Sequence, residues 1–139
     1  MSGFVTDASV ALAWCFDDEA TEATRALLDR FENEHAEVPS HWHLELANAL
    51  AVSERKRRIT PAPINEFIAL ISGLPIVVDE QTPSIALGTV LDLARSQRLS
   101  AYDAAYLELA MRRGVSLATM DNDLAQAARQ MGVSLLPTA

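Results

Sequence analysis

Cysteine occurs only once in this 139-residue sequence, at Cys15. A single cysteine excludes an intrachain disulfide and a metal centre built from several thiolates. Cys15 lies in the apolar run 8–16, where a free thiol is expected to act as a small buried hydrophobic side chain. This run is far shorter than the roughly 20 residues that a membrane span needs, and the N-terminus has no basic stretch followed by an apolar one. We therefore expect a cytoplasmic protein without a membrane segment.

Several common catalytic and nucleotide-binding motifs are also missing. The sequence has no Gly-Lys-Ser or Gly-Lys-Thr loop, no Gly-x-Gly-x-x-Gly and no Gly-x-Ser-x-Gly. Their absence removes the usual grounds for predicting nucleotide binding or serine hydrolysis. His41 and His43 are two positions apart, so a helix would direct their rings to different faces. A zinc site is therefore not predicted, and both histidines are interpreted as surface or helix-start residues.

Short apolar stretches alternate with helical patterns along the chain. The chain length favours one domain, residues 1–139, and the alternation predicts a central parallel sheet flanked by helices on both faces, an α/β fold. Strands are predicted at 4–6, 37–38, 76–78, 116–119 and 133–136. Helices are predicted at 8–16, 19–35, 40–58, 60–71, 83–98, 100–114 and 121–131, with Ser40 and Ser100 as N-caps.

The net charge of −8 is unevenly distributed. Residues 17–37 hold eight acids and two bases, so 11 acids and nine bases remain elsewhere. The densest basic patch is Arg55-Lys56-Arg57-Arg58. An acidic total says little about one face of a protein, so the charge permits a nucleic-acid partner, and this run is the candidate RNA-binding segment.

Two aspartates follow predicted strands. Asp7 comes directly after strand 4–6, and Asp121 comes two residues after strand 116–119. Ligands of open parallel sheets bind beyond the carboxyl ends of the strands, so both aspartates lie where a site is expected. Each also precedes a helix, where an aspartate is a common N-cap. Their positions alone leave both interpretations open.

Two further carboxylates lie on apolar helix faces. Asp103 fits a capping box that starts at Ser100, but it also shares the buried stripe of its helix. Glu45 is in mid-helix and caps nothing, and it shares a face with Trp42 and Leu46. Burying a carboxylate on such a face costs roughly several kcal/mol of folding free energy unless the carboxylate is paired or bound to a cation.

A bound divalent cation is the natural counter-charge for these four acids. Lys56 is the only lysine and lies in an exposed-looking run, so few cationic side chains are available inside. Oxygen ligands without thiols or paired histidines suit Mg²⁺ or Mn²⁺ better than zinc. Such ions hold a phosphodiester, activate water and stabilise the leaving oxygen.

At these positions the sequence resembles PIN domains over nearly its whole length. Four blocks match in the correct order: Thr6-Asp7-Ala8-Ser9, Glu45 with Asn48, Tyr102-Asp103-Ala104-Ala105-Tyr106, and Thr119-Met120-Asp121 with Leu124. Each block is weak by itself, but the ordered set is fairly specific. The chain length and the absence of an inserted lid segment resemble most the VapC toxins of bacterial toxin–antitoxin pairs.

The resemblance implies an endoribonuclease that depends on Mg²⁺ or Mn²⁺ and acts as the toxin of a type II system. It implies a homodimer and a VapB-type antitoxin that neutralises the enzyme, often by placing an arginine among the acids. The acidic quartet of the family, which binds the metal and carries the catalysis, matches Asp7, Glu45, Asp103 and Asp121. Polar residues near the quartet match Ser9 and Thr119, and Asp123 is a possible additional ligand or supporting group.

Two other hypotheses remain open. A PIN domain that has lost its activity would use the acids only to fix a cation and would serve as an interaction module. A receiver domain or phosphatase of the aspartyl-phosphate type would use Asp7 and Asp79 at strand ends. Those proteins need a lysine near the phosphoryl group and an adjacent acidic pair, whereas Lys56 lies at the end of a helix, so this hypothesis ranks lower.

Overall fold

The computed structural model describes residues 3–136, and within them the strands form one five-stranded sheet. In chain order the strands are β1 Gly3–Thr6, β2 His35–Pro39, β3 Ile76–Asp79, β4 Leu117–Ala118 and β5 Leu135–Leu136. They lie in the order β3-β2-β1-β4-β5, and every neighbouring pair is parallel. The predicted parallel α/β sheet is confirmed.

Helices connect the strands and pack on both faces of the sheet. They are α1 Ala8–Cys15, α2 Glu22–Arg30, α3 Trp42–Arg55, α4 Pro61–Ser72, α5 Thr82–Ile85, α6 Leu91–Gln97, α7 Ala101–Arg113 and α8 Asn122–Gln130, with a π-helical segment, Ala86–Val90, before α6. Successive strand residues point to opposite faces. Accordingly, Phe4 packs in a cluster with Leu27 of α2, and Val5 packs in a larger cluster with Leu107 of α7. None of the helices found between residues 3 and 136 is long and apolar enough to cross a membrane.

The carboxyl ends of β1 and β4 lie side by side. Thr6 pairs with Ala118, and the Asp7 N–H donates to the Ala118 carbonyl at 3.0 Å. Asp7 and the segment that follows β4 therefore emerge at the same edge of the sheet. This register brings residues about 110 positions apart into contact.

Helix α7 is the most deeply buried helix segment of the fold. Residues 104–110 are all buried, and α7 contacts β1, β2 and β4. The Ser100 hydroxyl accepts a hydrogen bond from the Asp103 N–H at 3.1 Å, which confirms Ser100 as the N-cap. Gly114 ends the helix at φ 65°, a left-handed conformation that carries no steric penalty for glycine. The first turn of α7 thus carries Asp103, and the last turn carries Arg112 and Arg113.

Some predicted boundaries were wrong. Ser40 does not cap α3: His41 occupies the N-cap position without a side-chain cap bond, and the helix begins where Trp42 enters the core. The helix predicted at 19–35 is only Glu22–Arg30, because Thr21 and Thr24 form a reciprocal capping box that starts it later.

The helix predicted at 83–98 is divided. The π-helical segment Ala86–Val90 interrupts it, and such a segment adds a residue to one turn and changes which side chains face inward. Val90 and Leu93 are buried, whereas Leu87 is fully on the surface. Cys15 is only partly buried, packed against the core edge.

A partly buried ion-pair network ties the end of α7 to the sheet. Arg112 donates to both carboxylate oxygens of Asp79, at 3.1 and 2.8 Å, and pairs with Glu108 at 2.9 Å. Arg113 pairs with Glu37 of β2 at 3.1 Å and with Asp79 at 3.4 Å. The Asp79 side chain is only 2% exposed, and the Arg112 guanidinium holds the pKa of this carboxyl below its usual range.

Replacing Arg112 by methionine keeps most of the stem but leaves two carboxylates without their main counter-charge. We expect Arg112→Met to lower the free energy of unfolding by about 3 kcal/mol at neutral pH, measured by urea titration. Because the pKa of Asp79 is lowered in the folded state, the difference from wild type should shrink as the pH falls through that pKa.

Arg129→Met is the matched control, because Arg129 is exposed and makes no ion pair with the described residues 3–136. It should change stability by less than about 0.5 kcal/mol. Equal stabilities of the two variants would show that the network contributes nothing net.

Candidate active site

Asp7 occupies the junction between β1 and α1 and is held by three donors. Its Oδ1 accepts from the Ser9 hydroxyl at 2.6 Å and from the Val10 N–H at 3.3 Å, and its Oδ2 accepts from the Thr119 hydroxyl at 2.5 Å. Asp7 is therefore the N-cap of α1, as its position allowed. The cap uses only part of its hydrogen-bonding capacity.

Ser9 and Thr119 connect the two chain segments at this edge. The Met120 N–H donates to the Ser9 hydroxyl at 2.9 Å, and the Asp121 N–H donates to the Thr119 hydroxyl at 3.0 Å. Each hydroxyl thus accepts from the segment after β4 and donates to Asp7. The two polar residues that were expected near the acids do lie beside them.

The Asp7 carboxyl is almost completely buried, and the described part of the chain, residues 3–136, places no cationic side chain against it. The residue is 5% exposed, and no arginine or lysine within residues 3–136 pairs with it. Burial raises its pKa to about 6 and Asp103 adds to the rise, although the bonds from Ser9, Thr119 and Val10 oppose it. At neutral pH the folded protein carries a desolvated negative charge here.

Asp103 lies in the first turn of α7 and is half-buried. Burial, followed by repulsion from Asp121 and Glu45, raises the pKa of its carboxyl. Asp121 is more exposed and caps α8, accepting from the Leu124 N–H at 2.9 Å. The mutual repulsion of these acids shows that they lie close enough to affect one another's charge.

Glu45 extends from α3 towards α7. Its Oε1 accepts from the Tyr106 hydroxyl at 2.5 Å and lies 3.2 Å from His41 Nε2. Partial burial acts to raise its pKa, but the hydrogen bonds from His41 and Tyr106 outweigh burial, so the pKa is lowered. The pKa of Glu45 therefore moves in the direction opposite to those of Asp7 and Asp103.

The four predicted carboxylates line one pocket of about 280 Å³: Asp7, Glu45, Asp103 and Asp121. They come from four separate chain segments, at the ends of β1 and β4 and on α3 and α7. As placed, no three histidine, cysteine or acidic side chains of residues 3–136 surround a single ion position. The pocket is thus lined by negatively charged carboxylate oxygens with space between them.

The remaining predicted residues lie away from this pocket. Asp123 is exposed in another depression, next to Gln97 and Arg98. No hydrogen bond or ion pair joins Asp123 to another residue between 3 and 136, so its role as a supporting group stays a prediction. Residues 55–58 lie at the exposed end of α3 and in the turn that follows.

Arg58 differs from the rest of the basic run. It pairs with Asp18 at 3.1 Å and with Glu19 at 3.2 Å, and its guanidinium lies 4.0 Å from the centre of the Phe16 ring. These contacts connect the run to the acidic segment. Arg58 is therefore already engaged within the chain.

The roles of two residues that contact Glu45 were missed from the sequence. Tyr106 was named there only within the motif 102–106, and His41 was interpreted only as a surface or helix-start residue. His41 precedes Glu45 by four residues, the spacing at which two helical side chains meet, so this signal was available. The Tyr106 contact crosses from α7 to α3 and had no local signal.

Comparison with known proteins identifies the family. A family model for the PIN domain matches residues 4–130. The chain belongs to the PIN domain family. PIN domains are generally nucleases, and these nucleases generally use divalent metal ions.

Solved structures agree with this PIN fold. PAE2754 from Pyrobaculum aerophilum is similar at 21% identity and a TM-score of 0.71, with 96% of this chain and 83% of that chain covered. FitAcB from Neisseria gonorrhoeae is similar at 19% identity and a TM-score of 0.61, with 96% of each chain covered. At these identities the likeness concerns the fold alone. No curated protein matches the sequence.

The buried charge of Asp7 predicts a specific stability change. Because the folded-state pKa of about 6 exceeds the ordinary 3.8, the folded protein loses stability as the pH rises between these values. In a chelating buffer near pH 7.5, we expect Asp7→Asn to raise the free energy of unfolding by about 2 kcal/mol. The measurement is urea unfolding at a series of pH values.

Two comparisons control this result. The gain should vanish below the ordinary pKa of 3.8, where Asp7 is protonated in both states. Asp29→Asn, on the exposed side of α2, should show little change at any pH. A destabilised Asp7→Asn protein at neutral pH would mean that the hydrogen bonds outweigh the burial cost.

Proposed function

We infer that this PIN domain is a metal-dependent endoribonuclease that cleaves RNA phosphodiester bonds. The observation that carries the proposal is the convergence of Asp7, Glu45, Asp103 and Asp121 on one pocket. Their charges repel one another, and Asp7 is desolvated without a cationic partner among the described side chains. A protein keeps such an arrangement at a functional site, where a bound cation compensates for it.

The donor set suits Mg²⁺ or Mn²⁺, and we assign the binding of the ion to the same four carboxylates. Their oxygens are hard ligands, and no thiol lines the pocket. No three of them surround one ion position as placed. Mg²⁺ commonly keeps several waters and contacts only one or two carboxylates, so the spacing fits an ion that is partly held through water.

The side chains of the pocket have different tasks in this mechanism. An ion held by these carboxylates would supply a counter-charge for the phosphate and lower the pKa of a water. Ser9 and Thr119 orient both oxygens of Asp7. Asp103 is half-buried beside Asp121 and Glu45, where its carboxylate would hold the ion together with theirs.

A polymeric substrate fits the surface around the pocket. Met120 and Asp121 also line a neighbouring depression of about 710 Å³ that reaches Arg129 on α8. A single strand lying along this depression would pass the acids and continue towards a basic side chain. Accessible bases in unpaired RNA are the usual targets of sequence-specific recognition.

The toxin role, a homodimer and a VapB-type antitoxin are part of the same proposal. They are supported by the four ordered motifs that resemble VapC proteins. The acidic pocket also suits an inserted arginine, because a guanidinium pairs with carboxylates through two parallel hydrogen bonds. Growth arrest on expression of the chain alone, relieved by a co-expressed antitoxin, is the corresponding test.

The aspartyl-phosphate hypothesis fits the geometry less well. Asp79 pairs with Arg112 and Arg113 and is nearly inaccessible. Lys56 lies in the exposed turn after α3, and it does not line the pocket of Asp7. An inactive PIN module remains the second candidate, favoured by the absence of three directly converging ligands within residues 3–136.

The amides Asp7→Asn, Glu45→Gln, Asp103→Asn and Asp121→Asn separate the nuclease from the inactive module. Each keeps the side-chain volume and removes one charge. We expect each to slow cleavage of labelled RNA in Mg²⁺ or Mn²⁺ at least about 100-fold, and the wild-type reaction to stop with a chelator. Growth arrest should be lost in parallel.

Asp92→Asn, at an exposed position of α6, is the control and should cleave at the wild-type rate. Melting temperatures exclude unfolding as the cause of any loss. Full activity in two of the four amide variants would rule out the proposed site. An inactive wild-type protein that still binds the metal would support the interaction module.

The free part of the basic run is predicted to contact RNA phosphates. Neutralising Arg55, Lys56 and Arg57 together with glutamine should weaken RNA binding and leave the cleavage position unchanged, because phosphate contacts carry little sequence information. The slope of log affinity against log salt should become less steep by about 2 for three lost charges. Fluorescence anisotropy at several salt concentrations measures both.

Arg58→Gln is the matched comparison. Because Arg58 is paired with Asp18 and Glu19, its loss should leave the salt slope nearly unchanged. Unaltered affinity of the triple variant at low salt would assign the run to another role, such as the dimer or antitoxin surface.

A further inference from the structure

The carboxylate of Glu45 is held by two donors, one on α7 and one directly before α3. The Tyr106 hydroxyl of α7 and the His41 ring of the residue before α3 both approach Oε1, at 2.5 and 3.2 Å. The second oxygen, Oε2, makes no hydrogen bond or ion pair with any residue of the described chain. One oxygen is thus committed to the protein, and the other is free at the pocket.

The direction of each hydrogen bond follows from the acceptors. His41 Nε2 also lies 3.1 Å from the Tyr102 carbonyl. Since neither a carbonyl nor an ionised carboxylate can donate, Nε2 carries the hydrogen and shares this one N–H between the Tyr102 carbonyl and Oε1 of Glu45. Tyr106 is 1% exposed, and because the ionised carboxylate of Glu45 can only accept, the Tyr106 hydroxyl is the donor.

Both donors are themselves fixed in place. Tyr106 is packed in the main hydrophobic cluster. The His41 ring contacts the rings of Tyr102 and Tyr106, with centroids 5.6 and 5.0 Å apart. A free glutamate side chain samples many rotamers, and ordering it costs entropy. Rigid donors on one oxygen remove most of that freedom before any ligand binds.

We propose that Tyr106 and His41 are positioning residues that hold Oε1 of Glu45 and direct Oε2 into the acidic pocket, so that Glu45 presents a single oxygen to the bound divalent cation. This inference rests on the proposed metal-dependent function. It assigns the two residues no contact with RNA. Their effect passes entirely through the orientation of Glu45.

The test is Mn²⁺ binding to the whole chain, followed by electron paramagnetic resonance of the free ion. Loss of a group that orients a metal ligand weakens metal affinity about 10- to 100-fold, and Tyr106→Phe should fall in this range. Tyr102→Phe is the matched control, because it also loses one hydroxyl and this hydroxyl has no partner among residues 3–136. It should bind Mn²⁺ like the wild type.

A double-variant comparison distinguishes positioning from a general structural effect. In a Glu45→Ala background, Tyr106→Phe should cause no further loss of Mn²⁺ affinity, because no carboxylate remains to be oriented. His41→Leu should weaken binding, and His41→Gln, which keeps a donor, should restore part of it. Urea unfolding confirms that each variant is folded.

Several outcomes would overturn the inference. Wild-type affinity in Tyr106→Phe would do so, and so would an equal loss with and without the Glu45 carboxylate. Suppose that the wild type binds Mn²⁺ and that Tyr106→Phe weakens this binding only when Glu45 is present, but no RNA is cleaved. The positioning role then stands, and the nuclease proposal fails. If the wild type binds no Mn²⁺, both fail.

Discussion

Burial of the Asp7 carboxylate at the edge shared by β1 and β4 is the constraint on which the site depends. Parallel pairing of Thr6 with Ala118 brings the Thr119 hydroxyl to Asp7. The Ser9 hydroxyl on α1 accepts a hydrogen bond from the Met120 N–H in the segment after β4. These bonds position the carboxylate but supply no positive charge. The other three acids of the pocket lie next to a carboxyl group whose burial already disfavours its ionised form.

Among residues 3–136 two aspartates, Asp7 and Asp79, are buried, and their pKa values are shifted in opposite directions. Asp79 is surrounded by Arg112 and Arg113, and its pKa is lowered. Asp7 has hydroxyl and amide donors only, and its pKa is raised. Both lie near α7, whose last turn supplies the arginines and whose first turn supplies another acid. The same helix thus stabilises the sheet at one end and concentrates negative charge at the other.

The acidic surface segment also has an internal partner. Asp18 and Glu19 hold Arg58, which lies over the Phe16 ring. Part of the acidity of residues 17–37 is therefore used to fix the turn after α3 against the end of α1. This pairing separates Arg58 from its three basic neighbours and shows why a run of like charges need not act as one surface.

The sequence by itself determined the sheet class, the helix order and the chemical character of the site. Periodic apolar positions predict which faces are buried, and an acid such as Glu45 on an apolar face stands out because it is costly. Local capping rules located α7 correctly, since Ser100 and Gly114 act within a few residues. They failed at Ser40, because burial of Trp42 sets the start of α3, and they missed the π-helical segment 86–90.

Only the tertiary structure decided which side chains meet. The bonds from Thr119 to Asp7 and from Tyr106 to Glu45 span 112 and 61 residues, and no local pattern encodes contacts at such separations. The same limit applies to charge. From the sequence, Asp7 and Asp79 are both aspartates at strand ends. Their pKa values move in opposite directions because the packing of α7 brings arginines to Asp79, whereas Asp7 is desolvated by burial without such a partner among residues 3–136.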